Sequence, residues 1–157
     1  MLVPLQANGR FIGHWMLPIA VSATPPSKYL LARNSLFSTT NTRLDLVAVA
    51  VSALGIKTDT ARLKDIYSRA RKLGFALAAA EVGPQLRLQY FDQPIGEFLN
   101  VAMEPILMPD GESDIFVIGN GGAGLLLIGQ DADANTDFHA SSRFVFVRPT
   151  DLAAVHQ

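Results

Sequence analysis

Cysteine is absent from this sequence of 157 residues. That excludes disulfides, thiolate metal sites and cysteine nucleophiles. Charge is sparse: Asp, Glu, Lys and Arg make up 17% of the chain, against 49% hydrophobic residues. A composition this apolar excludes an intrinsically disordered chain. No apolar run reaches the roughly 18 residues of a membrane span. No HExxH, GxSxG or phosphate-loop sequence occurs, and His14, His139 and His156 are scattered. Internal repeats and long linkers are also missing. The length fits one domain, which can bury roughly 68–70% of its unfolded surface without a staple.

The N-terminus carries a near-miss. Arg10 precedes FIGHWMLPIAV, and Val21-Ser22-Ala23 has the small-residue pattern of a signal-peptidase site. Gly13, His14, Trp15 and Pro18 interrupt the apolar core, however, and one cation precedes it. Residues 1–26 therefore read as an irregular arm of a soluble, cytoplasmic protein. A single α+β domain is expected over 27–150, with a short tail at 151–157.

What is present is unevenly placed. Residues 1–90 hold eleven Lys and Arg against four acids, a charge of +7. Residues 91–157 hold two against ten, a charge of −8. Such asymmetry points either to an anionic partner for the first half or to two halves that neutralise each other when packed. In one small domain the second reading is the simpler.

Periodicity supplies the elements. Thr24-Pro25-Pro26-Ser27 suits the start of a helix over 27–37. Residues 44–54 are ambiguous. LDLVAVAV is valine-rich, but the length, the alanines, Thr42 with Asp45 and Gly55 favour a buried helix. Leu63, Ile66, Tyr67, Ala70 and Leu73 form one stripe, which predicts a third helix capped by Thr60. Residues 75–77 read as a short strand. In 78–90, Leu86, Leu88 and Tyr90 alternate with Gln85, Arg87 and Gln89, which predicts a strand. The competing reading there is a helix with Pro84 in its first turn. Further strands are expected at 97–103, 114–118, 125–128 and 143–148, with Asn120-Gly121 as a hairpin signal. The fold class is thus α+β: about three N-terminal helices, then an antiparallel sheet of four to six strands.

Two motifs fail on context. Gly119 to Gly124, GNGGAG, spells the dinucleotide fingerprint, yet the LLLIG that follows is no helix and no acid stands at the ribose distance. It reads as a hairpin, and no cofactor is expected. Asp131, Asp133, Asn135 and Asp137 alternate as in a calcium loop, but Thr136 and Ser142 stand where Gly and Glu are needed. An acidic loop without metal is expected.

The densest polar stretch is 81–105, EVGPQLRLQYFDQPIGEFLNVAMEP. Its segments EVGPQLRLQY, DQP, GE and AMEP, with DIYSRARKLG at 65–74 and RFVFVR at 143–148, resemble a group of short bacterial proteins without an assigned activity. The resemblance runs over about 34–148. It implies a bacterial source and brings no site residues.

The sequence thus points to a non-catalytic binding or interaction domain, its partner a protein or a small polar ligand. The expected surface is Glu81, Arg87, Gln89, Tyr90, Asp92, Gln93 and Glu97. One alternative is a winged-helix-like DNA-binding protein. It would use a helix-turn-helix around 55–59 and the cations Arg62, Lys64, Arg69, Arg71 and Lys72. Another is a small hydrolase with Glu81, Glu97 or Glu104 as acid or base.

Overall fold

Valine decides the first long element. The computed structural model describes residues 44–149, together with two-residue strands β1 (Val3–Pro4) and β2 (Ser22–Ala23). Asp45–Ala50 is a strand, β3, and only its continuation Val51–Leu54 coils, as a 3-10 turn. The expected helix over 44–54 is therefore corrected. β3 lies inside the sheet with Val47, Ala48 and Val49 buried. A strand covered on both faces needs a continuous run of branched apolar residues rather than an alternating one. Its partner is β10 (Arg143–Arg148), paired antiparallel over six residues from Arg143↔Ala50 to Arg148↔Asp45.

The chain then makes β4 (Thr60–Arg62) and helix α1 (Leu63–Lys72). Thr60 lies in β4, so it does not cap the helix; Arg62 occupies that position. The apolar stripe behaves as its spacing requires: Leu63, Ile66, Tyr67 and Ala70 are buried. Residues 75–77 contribute one bridge, Ala76↔Val147.

A short helix α2 (Val82–Arg87) replaces the strand preferred for 78–90. Pro84 lies in its first turn, where a missing N–H costs no helical bond. Gly83 lets the helix come close to the sheet. A Cβ there would lie 2.7 to 2.9 Å from Phe116. The alternation of leucines was real, but Val82 and Leu86 use the helical spacing instead and are buried.

The strands that follow are β5 (Phe98–Val101), β6 (Ile106–Leu107), β7 (Ser113–Asn120), β8 (Leu125–Asp131) and β9 (Asp137–His139). The eight-stranded sheet runs β1-β3-β10-β5-β7-β8-β2, with β6 also on β7. It is mixed: β10 with β5 and β2 with β8 are parallel, and the other pairs are antiparallel. β4 and β9 form a separate ribbon. The expectation of about three helices ahead of the sheet is corrected on two counts. Two α-helices occur among the described residues, and strand β3 precedes both. The helix expected at 27–37 lies outside the described residues, as does most of the arm at 1–26 and the tail at 151–157. No helix among the described residues is long and apolar enough to cross a membrane.

Register fixes the two faces. Phe98 opposes Gly119, Asn100 opposes Val117, and Val117 opposes Ile128. These side chains therefore share one face, with Gln130 two residues beyond Ile128. Leu99, Phe116, Ile118 and Leu127 take the other face, all buried on the side that carries α2. Asn100 also registers with Phe144, whose ring meets Tyr67 of α1 at 6.2 Å and Phe138 of β9 at 5.0 Å. So α1 and the β4–β9 ribbon cover the β3–β10 half of the first face. Its β5–β7–β8 half is left to the groove described next.

Candidate functional site

The segment between α2 and β5 is built around Arg87. Its side chain is fully buried, with no acid among its hydrogen-bond partners. The guanidinium donates to Gln93 Oε1 at 2.6 Å, to the Gly119 carbonyl at 3.1 Å and to the Leu126 carbonyl at 3.4 Å. It also donates to the Tyr90 carbonyl. Its Nε has no partner among the described residues. Burial therefore holds its pKa below the usual arginine value. Gln93 passes the constraint on: its amide donates to the carbonyls of Glu97 (3.2 Å) and Ile118 (3.3 Å). Asn120 Nδ2 donates to the Gln93 carbonyl at 2.8 Å. Helix, turn and hairpin are thus tied together, and residues 94–97 are held as a rim over the β5–β7–β8 half of the sheet.

Beneath that rim lies an open groove of about 710 Å³. The sheet supplies Phe98, Asn100, Val117, Ile128 and Gln130 as its floor; Phe138, Ser141, Ser142 and Arg143 also line it. Arg143 Nη1 donates to Glu97 Oε1 at 2.6 Å, an ion pair that is mostly buried at the Glu97 end. Glu97 Oε2 is buried and has no hydrogen-bond partner among the described residues. The Tyr90 hydroxyl is nonetheless near enough for Glu97 to oppose its ionisation. Burial first, then Glu97 and Asp92, push Tyr90 up to about 12, against the pull of Arg143. Asn100 Nδ2 donates to the Arg143 carbonyl at 3.0 Å, which leaves Oδ1 as an acceptor. Phe98 lies so tightly on Gly119 that a Cβ there would sit 2.4 to 2.5 Å from its ring carbons. Phe98 is still 44% exposed.

The expected surface divides under this geometry. Arg87 and Gln93 are interior clamps and Tyr90 is buried behind them, while Glu81 and Gln89 are half-buried on or beside α2. Asp92 is exposed, and Glu97 is the member that lines the groove. Asn100, Gln130, Ser141, Ser142 and Arg143 were missed because they come from three separate strands and a loop. The parity of β5 was the one sequence signal, since it puts Phe98 and Asn100 on one side.

The other candidates are placed elsewhere. Arg62, Lys64, Arg69, Arg71 and Lys72 are all exposed. Arg69 Nε donates to the Leu54 carbonyl at 2.7 Å, and Arg71 pairs with Glu104 at 3.3 Å. With 45–50 a strand, 55–59 joins no pair of helices, so the expected helix-turn-helix does not form. Of the three hydrolase carboxylates the groove gathers Glu97 alone; Glu104 lies beside a separate hollow of about 150 Å³. Residues 121–124 close the β7–β8 hairpin, with Asn120 Oδ1 accepting the Gly122 N–H at 3.1 Å. Asp133 Oδ1 accepts from Asn135 N–H at 2.7 Å, so its carboxylate serves its own loop. Among the described residues no three acids or histidines converge to hold a metal.

No protein-family profile, curated protein or solved structure matches this chain.

Proposed function

We propose that the chain is a non-catalytic binding domain whose ligand is a small polar molecule held in the β5–β7–β8 groove. The observation that carries this reading is the convergence, on a sheet face that no described helix or ribbon covers, of polar groups with spare hydrogen-bonding capacity and an exposed aromatic ring. Ligand sites are concave, largely pre-formed and lined by apolar groups with a few placed polar ones. The groove fits that description, with Phe98, Val117, Ile128 and Phe138 beside Asn100, Gln130 and Arg143. Glu97 is committed to Arg143 at 2.6 Å, and among the described residues the lining offers no second carboxylate to share acid–base work. That favours binding over hydrolysis.

The test is a ligand-observed NMR screen of neutral polar fragments against the full chain. Hits are expected, and they should vanish in Ile128→Trp, which fills the floor. Hits that persist in that variant, or a screen with none, would sink the reading.

A further inference from the structure

Resting on the groove as the binding site, we infer that its ligand is a short, uncharged oligosaccharide. Charge is the first argument. Among the described residues the lining holds one cation and one anion, Arg143 and Glu97, already joined at 2.6 Å. An anionic ligand would find no cation among the described lining residues that is not already paired, so nucleotides and other phosphates are disfavoured.

The second argument is how the polar groups are spread. Asn100 stands on β5 and Gln130 on β8, with β7 between them. Two strand spacings put them roughly 10 Å or more apart. A single flat heterocycle presents its donors and acceptors along one edge and cannot serve both. Asn100 keeps Oδ1 as an acceptor, and Gln130 makes no side-chain hydrogen bond among the described residues. Ser142 and the Arg143 guanidinium donors that have no partner among the described residues extend the array. Amides and hydroxyls both donate and accept, and they match a ligand whose hydroxyls do the same around its whole perimeter.

The third argument is Phe98. Its ring rests on Gly119 and keeps an open side at the mouth of the groove. The electron-rich face of an aromatic ring suits the positive C–H face of a pyranose. A chain of two or three sugar rings would span from Phe98 to Gln130, and the groove of about 710 Å³ has room for it.

The experiment is a proton–nitrogen NMR titration of the full chain with maltotriose, cellotriose and chitotriose at millimolar concentration, and with adenosine as the flat heterocycle. Saturable shifts are expected at Gly119 and at the Asn100 and Gln130 side-chain amides with at least one saccharide. Phe98→Ala and Gln130→Ala should each weaken that binding by about tenfold. Both residues are partly exposed, and an otherwise unchanged spectrum verifies the fold. Groove shifts with adenosine but no saccharide would overturn the ligand class and leave the groove standing. Saccharide shifts confined to the α1 face, or no groove shift with any probe, would overturn both.

Discussion

Arg87 shows how a single side chain can organise a segment without an ion pair. Its charge is met by carbonyls of Tyr90, Gly119 and Leu126 and by the Gln93 amide oxygen. Removing it strands those buried acceptors, so Arg87→Met should cost about 3 kcal/mol or more by urea denaturation. Arg87→Lys should recover only part of that, because an ammonium lacks the planar fork. Asp114 argues the opposite way. It is 5% exposed, and its carboxyl is pushed up by burial, then by Asp131, Asp110 and Glu112. A raised carboxyl pKa means that the folded chain holds its proton more tightly than the unfolded one. The Asp114 contribution to stability is then greatest in acid and falls as pH rises through the raised pKa. Asp114→Asn should raise the urea midpoint at pH 7, and the gain should shrink as pH falls through the carboxylate range. A constant gain across pH would count against the buried charge as its cause. The same sign holds for Tyr90: stability should fall between its ordinary value near 10 and about 12.

At the scale of elements, close approach matters more than propensity. Helix α2 packs on β7 and β8 only because Gly83 offers no Cβ to Phe116. Gly83→Ala should cost about 1–3 kcal/mol as the helix is forced off the sheet. Thermal unfolding would measure it, and an unchanged melting temperature would refute the packing argument. Helix α1 is held differently. Tyr67 places its ring edge-on to Phe144 and Phe146 and donates to the Met103 carbonyl at 2.8 Å. Tyr67→Phe keeps the packing and loses the hydroxyl, so about 1 kcal/mol is expected. The amphipathic stripe of α1 was readable because its helix covers one face of one sheet. The helix at 82–87 was not, because a single turn and a half of apolar residues fits both periods. Its choice rests on Phe116, more than 25 residues away in the chain.

For the whole molecule, the charge division resolves in an unexpected way. Among the described residues the ion pair between the two halves is Arg71 with Glu104, and both side chains are more than half exposed. Such a pair contributes about 0–1 kcal/mol. The halves are instead interleaved by backbone pairing: β3 of the first lies against β10 of the second, and β4 against β9. Adding salt should therefore move the urea midpoint only slightly. A large loss of stability in salt would show that the +7 and −8 halves are held by charge after all.

Local chemistry alone was enough for several features. The stripe of Leu63, Ile66, Tyr67 and Ala70 determined α1, the valine and phenylalanine run determined β10, and Asn120-Gly121 marked the β7–β8 hairpin, since each signal is local and has one low-energy solution. Tertiary structure alone decided that 45–50 is a strand, because burial on both faces and pairing with β10 outweigh the alanines that favour a helix. It also decided the groove. Phe98, Asn100, Gln130 and Arg143 lie up to 45 residues apart in the chain and meet only through strand register, which no local spacing encodes.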